Sequence, residues 1–183
     1  MLRIHHLPKG EASVADFAVR LNGTETLPWF CRVSAMPYDT VWPGCQRPLD
    51  QTEAASFISF EMDEPVKVQL TAARDFERLD IRPLSKGIQA SVNGRDIEFT
   101  ISACGQYTVE LDGWHNALHI FANPVTDFGV DKGDPNVLYF APGVHEIGDL
   151  ELQDNQTLFA DGGAVLYGSV TAIHRKNVRV VGY

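Results

Sequence analysis

Val137-Leu138-Tyr139-Phe140, Gln156-Thr157-Leu158-Phe159 and Val178-Arg179-Val180-Val181 are three short apolar stretches in the last quarter of the chain. Taking Leu138, Leu158 and Val180 as equivalent gives steps of 20 and then 22 residues. Between them lie Leu150-Glu151-Leu152, Ala164-Val165-Leu166-Tyr167 and Ser169-Val170-Thr171-Ala172, separated by glycine, asparagine and aspartate turns. Self-similarity of about 20 residues, with several short strands per period, marks the coils of a parallel β-helix. One coil cannot bury its own apolar face, and roughly three or more are needed for stability, usually with an atypical cap. A little over two coils are written here and no cap. The expectation is therefore the front piece of a longer protein, whose open end around Val178, Val180 and Val181 invites a homodimer through residues 137–183.

Upstream, the apolar pattern changes period. Ile58, Phe60 and Met62 alternate with Ser59 and Glu61, and Val66, Val68 and Leu70 alternate with Lys67 and Gln69. Such period-two runs are half-buried strands. Gln89 to Val92 and Arg95 to Ile101 flank Asn93-Gly94, which predicts a type I′ hairpin with φ > 0 at both turn residues. Tyr107, Val109 and Leu111 alternate again, and Leu118 to Phe121 is a further apolar strand. Seven or more short strands without a helical stretch point to a β-sandwich. The expected fold is all-β: an N-terminal antiparallel β-sandwich over 1–124, a Pro- and Gly-rich linker over 125–136, and the first two or so coils of a right-handed parallel β-helix over 137–183.

Bulk composition narrows the partners. Of 183 residues, 44% are hydrophobic and 21% charged, ordinary values for a folded chain with a real core. No apolar run is long enough to span a membrane, and Met1 to Pro8 is too short and broken for a signal peptide, which leads to a cytoplasmic expectation. The net charge of −9 argues against nucleic acid, whose binding needs clustered Lys and Arg. Cys31, Cys45 and Cys104 lack C-x-x-C spacing, so reduced thiols are expected rather than a zinc site or a disulfide framework. Nothing calls for a cofactor or a metal.

The segment Arg32-Val-Ser-Ala-Met-Pro-Tyr-Asp-Thr-Val-Trp-Pro-Gly-Cys-Gln-Arg-Pro-Leu-Asp-Gln-Thr-Glu53 has an unusual composition. With Gly105 to Leu111 and Leu118 to Pro124, it resembles the N-terminal β-sandwich of proteins of the glycoside hydrolase family 28-like, or polygalacturonase-like, group. Phe140-Ala-Pro-Gly-Val-His145, Asn155-Gln-Thr-Leu-Phe159, Gly162-Gly-Ala-Val-Leu-Tyr-Gly168 and Asn177-Val-Arg-Val-Val-Gly182 are similar to the first coils of their β-helix. The resemblance implies a parent protein that hydrolyses a pectin- or galacturonan-type polysaccharide with inversion, using carboxylates on either side of the bond. The family's Asn-Thr-Asp, Gly-Asp-Asp, Gly-His-Gly and Arg-Ile-Lys motifs do not occur here, and no two aspartates are adjacent. No catalytic residue is therefore assigned; the partners implied are a polysaccharide and the remaining coils of the parent chain.

Candidate contact residues are Trp42, Arg47, Gln51 and Trp114. An aromatic ring stacks on the C–H face of a sugar, while Arg and Gln hydrogen-bond hydroxyls or a carboxylate. The plainer reading is that the Trp42 loop packs against the β-helix and that Trp114-His115 is a surface turn after Asp112-Gly113. Asp161 beside Gly162-Gly163 reads as a turn residue, His145 as a structural hydrogen-bonding group, His5-His6 as no metal site, and Trp29-Phe30 as core. The alternative to a hydrolase part is a carbohydrate-binding module, or a purely structural β-sandwich without catalysis.

Overall fold

Alternating apolar residues become two facing sheets. The computed structural model describes residues 1–35 and 49–183. These form two units, Met1–Ile4 with Ala12–Pro124, and His5–Glu11 with Val125–Tyr183. In chain order the first unit carries β1 (Leu2–Ile4), β2 (Phe17–Leu21), β3 (Thr24–Thr26), β4 (Trp29–Ser34), β5 (Thr52–Met62), β6 (Val66–Ala72), β7 (Leu79–Arg82), β8 (Ser91–Asn93), β9 (Asp96–Ile101), β10 (Gly105–Leu111) and β11 (Leu118–Pro124). One sheet runs β1-β5-β11-β10-β7, with β4 also on β5; the other runs β3-β2-β6-β9-β8. A single core joins them, built from Leu21, Leu70, Ile97 and Ile101 on the second sheet and Ile58, Phe60, Leu118 and Ile120 on the first. Each such side chain contributes about 1.5–3 kcal/mol by leaving water.

Four sandwich expectations change. The pairing is antiparallel except between β5 and β11, which run parallel with His119 opposite Phe57. The Asn93-Gly94 hairpin forms one residue later than expected: Asn93 pairs with Asp96, so Gly94-Arg95 is the turn and only Gly94, at φ +60°, is left-handed. That pattern, glycine first, fits type II′ rather than I′. The I′ signature belongs to Asn22-Gly23, with φ +48° and +85°, between the paired Leu21 and Thr24. Trp29-Phe30 is not core. Trp29 stacks on Phe57 at 5.5 Å on the opposite side of the sheet, and Phe30 is 39% exposed. Glu61, read as a solvent-facing alternate, is 1% exposed and held by the Arg3 guanidinium at 2.7 Å.

The second unit carries β12 (Val137–Phe140), β13 (Gly143–Glu151), β14 (Thr157–Ala160), β15 (Ala164–Thr171) and β16 (Arg179–Gly182). β12-β14-β16 form one parallel sheet and β13-β15 another. Leu138 pairs with Leu158, and Leu158 with Val180, as the 20- and 22-residue steps require. Leu152 and Leu158 are buried, and Phe159, on the other face of β14 from Leu158, is buried as well. The corners are polar ladders. Asn155 and Asn177 both adopt positive φ, and the Asn177 amide donates to the Asn155 carbonyl oxygen at 3.0 Å. Asparagine tolerates that backbone and satisfies its neighbour one coil away.

The segment 125–136, expected as a linker, is a strap laid on this unit. Thr126 accepts from the Tyr183 hydroxyl at 2.8 Å, and Phe128 accepts from Arg179 at 3.1 Å. The Phe128 ring meets Phe159 and Tyr183 edge-on at 5.9 and 5.1 Å. Residues 5–11 also pack here: His5 meets Tyr183, and the Tyr167 hydroxyl donates to Glu11 at 2.9 Å. Gly162 is required by that packing, because a Cβ there would lie 2.5 Å from the His5 ring.

Candidate functional site

Of the four expected contact residues, Trp42 and Arg47 lie outside the described residues. Gln51 ends the 3-10 turn Leu49–Gln51 that leads into β5, is half-buried, and accepts the Ala35 amide at 2.9 Å through its carbonyl. Trp114 stands on the turn from Asp112 to Asn116 between β10 and β11, and is 48% exposed.

Both flanks of that turn are anchored. At its start, Asp112 takes φ +59° and accepts the Glu77 and Arg78 amides at 2.8 Å each and the Arg74 guanidinium at 2.6 Å. Arg74 first, then the two amides, hold its carboxyl below the usual carboxylate range. At its end, the His115 ring lies 3.7 Å from the Trp114 ring, tilted by 33°. His115 Nδ1 is 2.5 Å from Oε2 of Glu53, the second residue of β5. The Glu53 side chain is 19% exposed, and its other oxygen is buried without a hydrogen-bond partner among the described residues. His115, Glu53 and Asp112 are the residues that reading the sequence missed. Asp112-Gly113 was legible as a turn, but the His115–Glu53 pair spans 62 positions.

The other candidates have structural partners. His145 Nε2 sits 2.7 Å from the Ala141 carbonyl. Asp161 does more than turn the chain: its Oδ2 accepts from the Tyr139 hydroxyl at 2.6 Å and from the Lys132 ammonium at 2.5 Å, and Oδ1 accepts the Gly162 amide at 3.0 Å. Burial raises its pKa, but Lys132, Tyr139 and the amide together outweigh this and leave the carboxyl below its ordinary value of 3.8. A carboxyl held ionised in this way is a poor general acid. Glu61 and Glu110 are likewise ion-paired, with Arg3 and Arg82. Among the described residues no group of three His, Cys, Asp or Glu side chains is placed to hold a metal ion, and no helix is long and apolar enough to cross a membrane.

The Asp161 cluster gives a pH prediction. A carboxyl with a depressed folded pKa stabilises the fold above its unfolded pKa, and that contribution is lost as pH falls through the folded value. The coiled unit should therefore weaken in acid below about pH 4, and Asp161→Asn should flatten that limb while lowering stability at neutral pH. Thermal melts of both proteins across that range check it.

No family model matches the chain, and no curated protein matches it. Among solved structures its fold matches Dex49A from Penicillium minioluteum, with a TM-score of 0.72 at 17% sequence identity. The match covers 98% of this chain and 47% of Dex49A, so the chain spans about half the length of that protein. Dex49A is a glycoside hydrolase with a parallel β-helix, and the likeness is one of fold. The chain has an all-β fold in which a sandwich is followed by parallel β-helix coils, and it shares that fold with Dex49A.

Proposed function

We propose that this chain is the supporting, non-catalytic N-terminal part of a glycoside hydrolase that cleaves a polysaccharide. One observation carries the reading: a sandwich followed by in-register coils, matched to Dex49A over 98% of this chain but only 47% of that one. In that arrangement β15 and β16, the last strands of their two parallel sheets, offer the hydrogen-bonding edges on which later coils would stack, and the chemistry would sit on those coils. Inverting hydrolysis there needs two carboxylates roughly 6.5–9.5 Å apart, one protonating the leaving oxygen and one activating water. Glu61, Glu110 and Asp161 are each engaged in an ion pair, with Arg3, Arg82 and Lys132.

The resemblance of residues 32–53 and 140–182 to polygalacturonase-like proteins supports a galacturonan-type substrate. Dex49A is a dextranase, which supports an α-glucan as the second reading. A form of the protein carrying further coils, assayed in parallel on polygalacturonate and dextran with the anomeric proton followed by NMR, separates the two. Release from polygalacturonate with inverted configuration is the expected result. Release from dextran alone would replace the substrate class, and release from neither would remove the hydrolase reading.

A further inference from the structure

We infer that the Asp112–Asn116 turn presents Trp114 as a saccharide-stacking platform on the sandwich, with His115 and Glu53 as its positioning residues. The inference rests on the polysaccharide reading above and names a contact that the reading does not contain. An indole 48% exposed on a loose turn would lose rotamer and backbone freedom on gripping a ligand. Here that freedom is already restricted. Asp112 is fixed by Arg74 and two amides, and His115 is fixed by Glu53. The His115 ring covers one side of the indole at 3.7 Å.

The chemistry selects the ligand class. A pyranose presents a flat patch of C–H groups ringed by hydroxyls, which matches an aromatic face beside polar groups. His115, whose ring lies against the indole, supplies such a polar group. Glu53, mostly buried at the head of β5, keeps the imidazole beneath the indole rather than touching the sugar itself.

The test is titration of this chain with oligogalacturonides and with isomalto-oligosaccharides, following the Trp114 indole N–H signal by NMR and affinity by calorimetry. Saturable binding is expected, weakened about tenfold or more by Trp114→Ala and only a few-fold by Trp114→Phe, which keeps a ring. His115→Ala and Glu53→Gln should weaken binding about three- to tenfold and broaden the Trp114 signal, while Trp114→Phe leaves the melting temperature unchanged. Unaltered affinity in Trp114→Ala, or no saturable shift of the indole signal with either sugar, overturns the inference. Should Trp114→Ala fail to fold, the wild-type indole shift and the Trp114→Phe affinity decide. Hydrolysis by the coil-bearing form without binding here sinks only this platform. Binding here without hydrolysis there sinks only the hydrolase reading.

Discussion

Gly168→Ala is expected to destabilise the coiled unit by about 4 kcal/mol, which would leave β13 and β15 unpaired at ordinary temperature. Gly168 stacks directly on Gly148 of the preceding coil, where β13 shifts register between Glu146 and Gly148. A Cβ at Gly168 would lie 2.2 Å from the Gly148 carbonyl oxygen and 2.8 Å from its amide nitrogen. Backbone cannot swing aside as a side chain does, so the two coils would have to part. The φ of +150° adds the strain of a conformation that a residue with a Cβ rarely adopts. Amide exchange should show lost protection across 143–171 with the sandwich strand β9 still protected. Protection equal to wild type throughout would mean that the coils are not stacked in this register.

Phe60→Ala is expected to cost the sandwich about 3–5 kcal/mol, a large share of the stability of a domain this size. Phe60 is fully buried on an interior strand of the first sheet, opposite Ile4 on one side and Ala122 on the other. Truncation removes the ring's burial and leaves a cavity in a core whose neighbours, Ile58, Leu118 and Ile120, are themselves fixed in strands. Denaturant melts measure the change. A loss below about 1 kcal/mol would mean that the two sheets do not share one packed core.

The parts of the fold that were legible are those where a physical repeat is written directly in spacing. Leu138, Leu158 and Val180 pair because stacked coils must bring the same position round each turn. The same period connects Gly148 with Gly168 and Asn155 with Asn177, signals that were present but unread. Local turn chemistry was less decisive. Asn93-Gly94 and Gly94-Arg95 are both acceptable hairpin turns, and the choice falls to the strand register that sends Ile97, Phe99 and Ile101 inward. The strap over 125–136 looked like a linker because Pro and Gly dominate its composition, yet the hold comes from Phe128 and Lys132, whose partners lie far along the chain. The candidate site follows the same rule. Trp114 could be placed on an exposed turn from Asp112-Gly113, whereas the bracing by Glu53 arises only when β5 and the turn meet in three dimensions.

The division of labour proposed for this protein, support and sugar contact on this chain and bond cleavage elsewhere, is tested most directly by reducing-end release. The purified chain, incubated with polygalacturonate and with dextran, is predicted to release no more than the buffer control on either substrate. Release above the control that persists through repurification would contradict the account, because it would place the bond-cleaving carboxylates on this chain.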